Sequence, residues 1–145
     1  MVSYFVAGPP VPQGSKKAMI HPHTRRAMLI DDNADELKPW RARVKYETIV
    51  AWRGRRQIKG PVKIELEFRM LRQKSVTREY PDVRPDIDKL MRAIFDGITE
   101  AGAWEDDSRV CKTSATKIYC TSQPGVAITI EPLTAQQQTI TETPT

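Results

Sequence analysis

Residues 61–71 read Pro61-Val-Lys-Ile-Glu-Leu-Glu-Phe-Arg-Met-Leu71. Apolar Ile64, Leu66, Phe68 and Met70 alternate with Lys63, Glu65, Glu67 and Arg69. Successive side chains of a strand point to opposite faces, so this period of two predicts a strand with one buried and one wet face. Residues 72–85 are polar and carry Pro81 and Pro85, which predicts a long loop of the kind that often serves function. The period then changes. Ile87, Leu90, Met91, Ile94, Phe95 and Ile98 keep the spacing of one helical face. They predict a helix over 86–100, with Gly102 as its C-terminal cap.

The rest of the chain is read outward from this pair. Residues 4–7 form a short strand that stops at Gly8-Pro9-Pro10, since proline lacks a backbone donor. The runs 18–21 and 26–30 form a hairpin across Pro22-His23-Thr24. A helix runs from Asn33 or Asp35 to about Arg53, with either residue able to cap it and Pro39 confined to the first turn. Leu37, Trp40, Val44, Ala51 and Trp52 form its inner face. Residues 109–120 and 126–130 are strands joined by a turn at 122–125. From Leu133 the chain is rich in Thr and Gln with almost no core formers, and is expected to be disordered. The order is strand, hairpin, helix, strand, helix, strand, strand. It predicts an α/β (α+β) fold, two main helices on a mixed sheet, with one domain over 1–132 and a tail over 133–145.

Length and composition agree with this. A chain of 145 residues suits one core, and 39% hydrophobic with 28% charged residues is the balance of a globular protein. No apolar run reaches the roughly 18 residues of a membrane span, and the first residues lack the pattern of a signal peptide. The cytoplasm is the expected compartment. Cys111 and Cys120, with only His21 and His23 to join them, do not make a zinc pattern and read as reduced thiols. The net charge of +5 favours polyanionic partners. Cations crowd the first half of the chain, from Lys16 to Lys59, while carboxylates concentrate between Asp82 and Asp107.

The segment Arg84-Pro-Asp-Ile-Asp-Lys-Leu-Met-Arg-Ala-Ile-Phe-Asp96, followed by Trp104-Glu-Asp-Asp107, carries the chemistry. Asp86 falls where a helix N-cap would, and Asp88 falls in the first turn, off the apolar stripe. Each residue has an ordinary reading: Asp86 as a cap, Asp88 as a complement to the helix dipole, Asp96 as an ion-pair partner of Arg92, and Asp106-Asp107 as a polar turn. The composite has another. A few carboxylates can hold Mg²⁺ and leave positions for a phosphate oxygen and a water, with a nearby Lys or Arg to stabilise the transition state. A basic surface around an acidic centre fits a metal-dependent nuclease.

The same stretches resemble the RusA family of Holliday junction resolvases, including its phage and prophage versions. The likeness rests on Arg84-Pro-Asp-Ile-Asp-Lys-Leu, Ala93-Ile-Phe-Asp96-Gly and Gly102-Ala-Trp-Glu-Asp-Asp107, with Gly8-Pro-Pro-Val-Pro12 and Gln13-Gly-Ser-Lys16 similar to the opening of phage members; it extends over residues 3–131. The resemblance implies a homodimer that binds four-way DNA junctions and nicks them symmetrically with Mg²⁺, or Mn²⁺ in its place. It implies that Asp86, Asp88 and Asp107 bind the metal, with Asp106 the alternative to Asp107 in a shifted register. Two positions depart from the pattern. Lys89 stands where the family commonly has Asn, and Arg92 where it commonly has a catalytic lysine. Lys89 and Arg92 are therefore both candidates for the catalytic cation. Phosphate contacts fall to Lys16, Lys17, Arg25, Arg26 and Arg84. Asp96 is given a structural role, paired with Arg92 or a backbone group, and Trp104 a place in the core or a dimer interface. Two other functions stay open: a DNA-binding module with a decayed site, and a nuclease for flaps or forks.

Overall fold

The alternating segment forms β4 (Val62–Leu71), an inner strand of a four-stranded mixed sheet. The computed structural model describes residues 1–14, 16–31 and 33–134. Its other elements are β1 (Val2–Ala7), β2 (Lys16–Ile20), β3 (Ala27–Asp31), α1 (Ala34–Ala51), α2 (Ile87–Ala101), β5 (Val110–Cys120) and β6 (Gly125–Pro132). A 3-10 turn, Asp107–Arg109, leads into β5. The order is the predicted one, hairpin included. Within the sheet the strands lie β1-β6-β4-β5, with β6 antiparallel to both neighbours and β5 parallel to β4. Strands β2 and β3 pair with each other in a sheet of their own. Of the predicted tail, residues 135–145 lie outside the described residues. Among the described residues no helix is long and apolar enough to cross a membrane.

One face of the sheet is dry. Val62, Ile64, Leu66 and Phe68 of β4, Val126, Ile128 and Ile130 of β6, and Val6 of β1 are buried with Leu37, Trp40 and Val44 of α1 and Leu90, Ile94 and Ile98 of α2. These side chains form one core cluster. Glu65, Glu67 and Arg69 of β4 point the other way, as the alternation requires.

Helix α1 corrects three expectations. It begins at Ala34, so Pro39 is its sixth residue and falls in the second turn, not the first. Proline cannot donate to the carbonyl of Asp35, but both residues are exposed and water can serve that oxygen. Asn33 occupies the N-cap position without capping; its amide donates to Pro12 O at 2.8 Å and ties the N-terminal segment to the helix. The inner face includes Thr48, a polar residue that the apolar pattern passes over. Its hydroxyl donates to Val44 O at 2.7 Å, so the Tyr4 hydroxyl, also at 2.7 Å, must donate to it. Burial pushes the Tyr4 phenol well above its usual range.

Helix α2 buries Leu90, Ala93, Ile94, Gly97 and Ile98. The large residues were legible as a stripe; the small ones matter as much. A Cβ built on Gly97 would lie 2.7 Å from Val44 Cγ1 and 2.9 Å from Val44 Cβ. The helices approach this closely only because Gly97 has no side chain. Gly97→Ala should therefore lower stability by about 1–3 kcal/mol in urea unfolding, although alanine favours an isolated helix by about 0.5–1 kcal/mol. Adding Val44→Ala should recover part of the loss, with a coupling of about 0.5–3 kcal/mol. Strictly additive effects would remove this contact from the account.

Candidate active site

Asp86 stands at the N-cap of α2 in extended conformation, and its side chain makes no capping hydrogen bond. A capping carboxylate would accept from an amide two or three residues on. Asp86 instead places Oδ2 3.8 Å from Lys89 Nζ. Asp88, in the first turn, is exposed and has no hydrogen bond or ion pair among the described residues. Both carboxylates sit at the end of the helix where the amide groups lack partners and the dipole is positive.

The N-terminal loop packs on the same turn of α2. Gln13 N donates to Lys89 O at 2.9 Å. Gly14 has φ +126°, and a Cβ there would meet Arg92 Nη1 at 2.9 Å. A side chain at residue 14 would displace the guanidinium. The Gln13 amide also donates to Asp96 Oδ2 and accepts from Arg41 at 3.5 Å, while Arg41 pairs with Glu100 at 2.6 Å. Asp96 thus has the structural role expected of it with a different partner, Gln13 rather than Arg92. The backbone bond to Lys89 delivers the glutamine to that carboxylate. Arg92 is exposed beside Gly14, whereas Lys89 is half-buried with its ammonium toward Asp86.

The turn before Asp86 is held from the sheet. Lys117 of β5 donates from Nζ to Val83 O and to Pro85 O, each at 2.8 Å. Tyr119, two residues on, accepts from Arg78 Nη1 at 2.9 Å, and the Arg72 guanidinium stacks 4.6 Å from its ring. Arg84 is exposed and lines a cleft with Arg78, Lys117 and Tyr119. Neither Lys117 nor Tyr119 was singled out from sequence. Their signal is that residues 115, 117 and 119 share one face of a strand on which Ala115 packs against the core.

The second acidic segment follows the other end of α2. Gly102, with φ +81°, caps the helix and turns the chain. Trp104 is fully buried, edge-on to Phe95, with Nε1 donating to Thr99 Oγ1 at 2.7 Å. Asp106 caps the 3-10 turn, accepting from Ser108 N at 3.0 Å, and hydrogen bonding from the Ser108 side chain and then its backbone amide holds the carboxyl below the usual range. Glu105 pairs with Arg109 at 2.9 Å, which lowers its pKa as well. Asp107 is exposed, and its side chain has no hydrogen bond or ion pair among the described residues.

One chain does not bring the three candidate aspartates together. Asp86 and Asp88 stand at the start of α2 and Asp107 lies beyond its end, and a helix of 15 residues is about 22 Å long. The sheet gives the same separation. Val110, just after Asp107, pairs with Val62 at the start of β4, while Lys117 reaches Pro85 from far along β5. Among the described residues no three His, Cys, Asp or Glu side chains are grouped closely enough to hold a metal ion.

The remaining candidates are more scattered. Arg25 and Arg26 are exposed at the tip of the β2–β3 hairpin, with Arg25 at φ +59°. Lys16 and Lys17 lie in β2, and their side chains fall outside the described set. Cys111 and Cys120 both lie on β5, Cys111 exposed and Cys120 half-buried, with no bond between them.

Comparison with curated protein sequences returned no match. Comparison with protein families matches residues 7–131 to the endodeoxyribonuclease RusA. That span holds β4, β5, all but the last residue of β6, both helices and every candidate aspartate, and the chain belongs to the RusA family of endodeoxyribonucleases.

Proposed function

We propose that the chain resolves four-way DNA junctions by paired, metal-dependent nicks, as a homodimer in which each active site draws on both subunits. One observation carries this reading. The aspartates that the fold uses, Asp96 and Asp106, are hydrogen-bonded, whereas Asp88 and Asp107 are exposed and uncommitted at opposite ends of α2. In a twofold dimer the same patch of each subunit faces its mate, so Asp107 of the partner subunit can complete a set begun by Asp86 and Asp88.

Carboxylate oxygens are the donors that Mg²⁺ or Mn²⁺ prefers, and exposed aspartates can turn to meet such an ion. The ion, once bound, would polarise the scissile phosphate and acidify the attacking water. Lys89 places an ammonium beside Asp86, where it can stabilise charge gathering on the phosphate. Arg92 and Arg84 hold the neighbouring phosphates. Lys16, Lys17, Arg25 and Arg26 on the hairpin contact a junction arm. Phosphate contacts set orientation without reading bases, so selectivity for branched DNA follows from shape. The expected setting is the cytoplasm, where recombining DNA of the host or a phage is found. A binding module that does not cut is the second reading, and the absence of a three-carboxylate group within the described residues of one chain favours it.

A synthetic four-way junction, a flap, a fork and a matched linear duplex, each with Mg²⁺ or with chelator, separate these readings. Symmetric nicks in the junction alone are expected, lost with chelator and with Asp88→Asn while junction binding persists. Tight binding without cleavage under any divalent ion would establish the binding module instead. Cutting of flaps or forks in preference to the junction would keep the nuclease and change its substrate.

The shared site has its own test. Asp88→Asn and Asp107→Asn should each be inactive. Mixed by unfolding and refolding together, they should regain nicking, because a mixed dimer concentrates both lesions in one site and leaves the other intact. No recovery, with mixed dimers demonstrated by mass, would place each site within one chain.

The two cations are also separable. Lys89→Ala should lower kcat by on the order of 10²-fold, the usual cost of removing a transition-state donor. Arg92→Ala should chiefly raise KM. The reverse pattern would make Arg92 the catalytic cation.

A further inference from the structure

We infer that Lys117 is a positioning residue, which fixes the turn carrying Asp86 by gripping two of its carbonyl oxygens. The inference rests on the proposed catalytic role of Asp86. Nζ of Lys117 donates to Val83 O and Pro85 O, 2.8 Å from each, and Asp86 is the next residue. Two acceptors two residues apart fix a turn at two points, so it cannot pivot about either. Lys117 is half-buried and has no ion pair among the described residues. A charged group in such a place, bonded only to neutral acceptors, is a costly way to add stability alone. It is a direct way to define a backbone position, because a bond from a charged donor is shorter and stronger than a neutral one.

The surroundings support this. Asp86 makes no capping bond, so its own side chain does not fix the entry to α2. The loop before it is tied to β5 at the far end as well, where Arg72 N donates to Cys120 O at 2.9 Å and Arg78 holds Tyr119. Lys117 is the tie nearest the carboxylate. Lys112, on the same strand, is exposed, its side chain has no hydrogen bond or ion pair among the described residues, and it serves as the control.

The test compares Lys117→Met, Lys117→Gln, Lys117→Arg and Lys112→Met in the full-length protein. It measures kcat and KM on a four-way junction, junction affinity in chelator, urea unfolding, and amide hydrogen exchange over residues 83–90. Lys117→Met should lower kcat on the order of 10- to 100-fold, the cost of misplacing a catalytic group by about 1 Å. Its KM and affinity should stay as in the wild type, and exchange at 83–90 should quicken. Lys117→Arg should restore most of the rate, since a guanidinium can serve both carbonyls, and Lys112→Met should change nothing. Unchanged kcat in Lys117→Met overturns the inference. So does a loss matched by weaker junction binding with unchanged exchange, which would make Lys117 a DNA contact. If Lys117→Met does not fold, Lys117→Gln decides, and full activity there also overturns it. A wild-type protein that never nicks would sink the catalytic reading, while the exchange measurement would still decide whether Lys117 holds the turn.

Discussion

The parallel pairing of β4 with β5 governs the rest of the molecule. Parallel neighbours cannot be joined by a tight turn, so the chain must return to its starting end before pairing again. Here the return is the loop 72–85 followed by α2, whose apolar stripe holds it against the sheet. The direction of α2 is thereby fixed. Its N-terminus, with Asp86 and Asp88, lies toward the carboxyl ends of β4 and β5, the end where open α/β sheets tend to carry their sites. Its C-terminus delivers Asp107 to the opposite end. The crossover that builds the core is also what parts the aspartates.

The close approach of α1 and α2 extends this control to the N-terminal segment. Gly97 lets α1 settle on α2, and Arg41 of α1 then reaches both Glu100 and the Gln13 amide. Gln13 in turn holds Asp96 and, through its backbone, Lys89. A contact between a glycine and a valine in the interior thus helps to determine where residues 13 and 14 lie, beside the candidate cations Lys89 and Arg92.

The sequence was most legible where a local period decides the structure. The alternation at 62–71 and the stripe from Ile87 to Ile98 gave elements correct to within a residue or two, and Gly102 gave the helix end. It was least legible where the deciding contact lies far along the chain. Pro39 can stand in the second turn because its surroundings are wet, Asn33 finds Pro12 instead of capping, and Thr48 is buried because Tyr4 arrives to bond it. The candidate site divides in the same way. Asp86, Asp88 and Asp107 stood out as a set of candidates only through the family resemblance, and the preference of Asp106 for a turn amide was foreseen as one reading of that segment. The length of α2 between them was already in the spacing, but its consequence appears only once the helix is known to run straight from one end of the sheet to the other. Lys117 looked like any strand lysine until its two carbonyl partners were in place.

In the proposed dimer, assembly and metal binding become one equilibrium. Within one chain Asp86 and Asp88 are neighbours, with Lys89 nearby to offset their charge. Bringing a third carboxylate from the partner subunit to them costs like-charge repulsion, about 1 kcal/mol at 4 Å in water and about 4 at an effective dielectric constant near 20. A divalent cation between the carboxylates reverses the sign of that term. The ion therefore favours the dimer to the same degree that the dimer favours the ion, as linkage requires. On this proposal a monomer would hold neither the full ligand set nor the second site that a symmetric pair of nicks needs. On the same proposal the protein would be inert until it had both a partner and a metal, and a junction with two strands to cut would be the substrate whose symmetry matches that requirement.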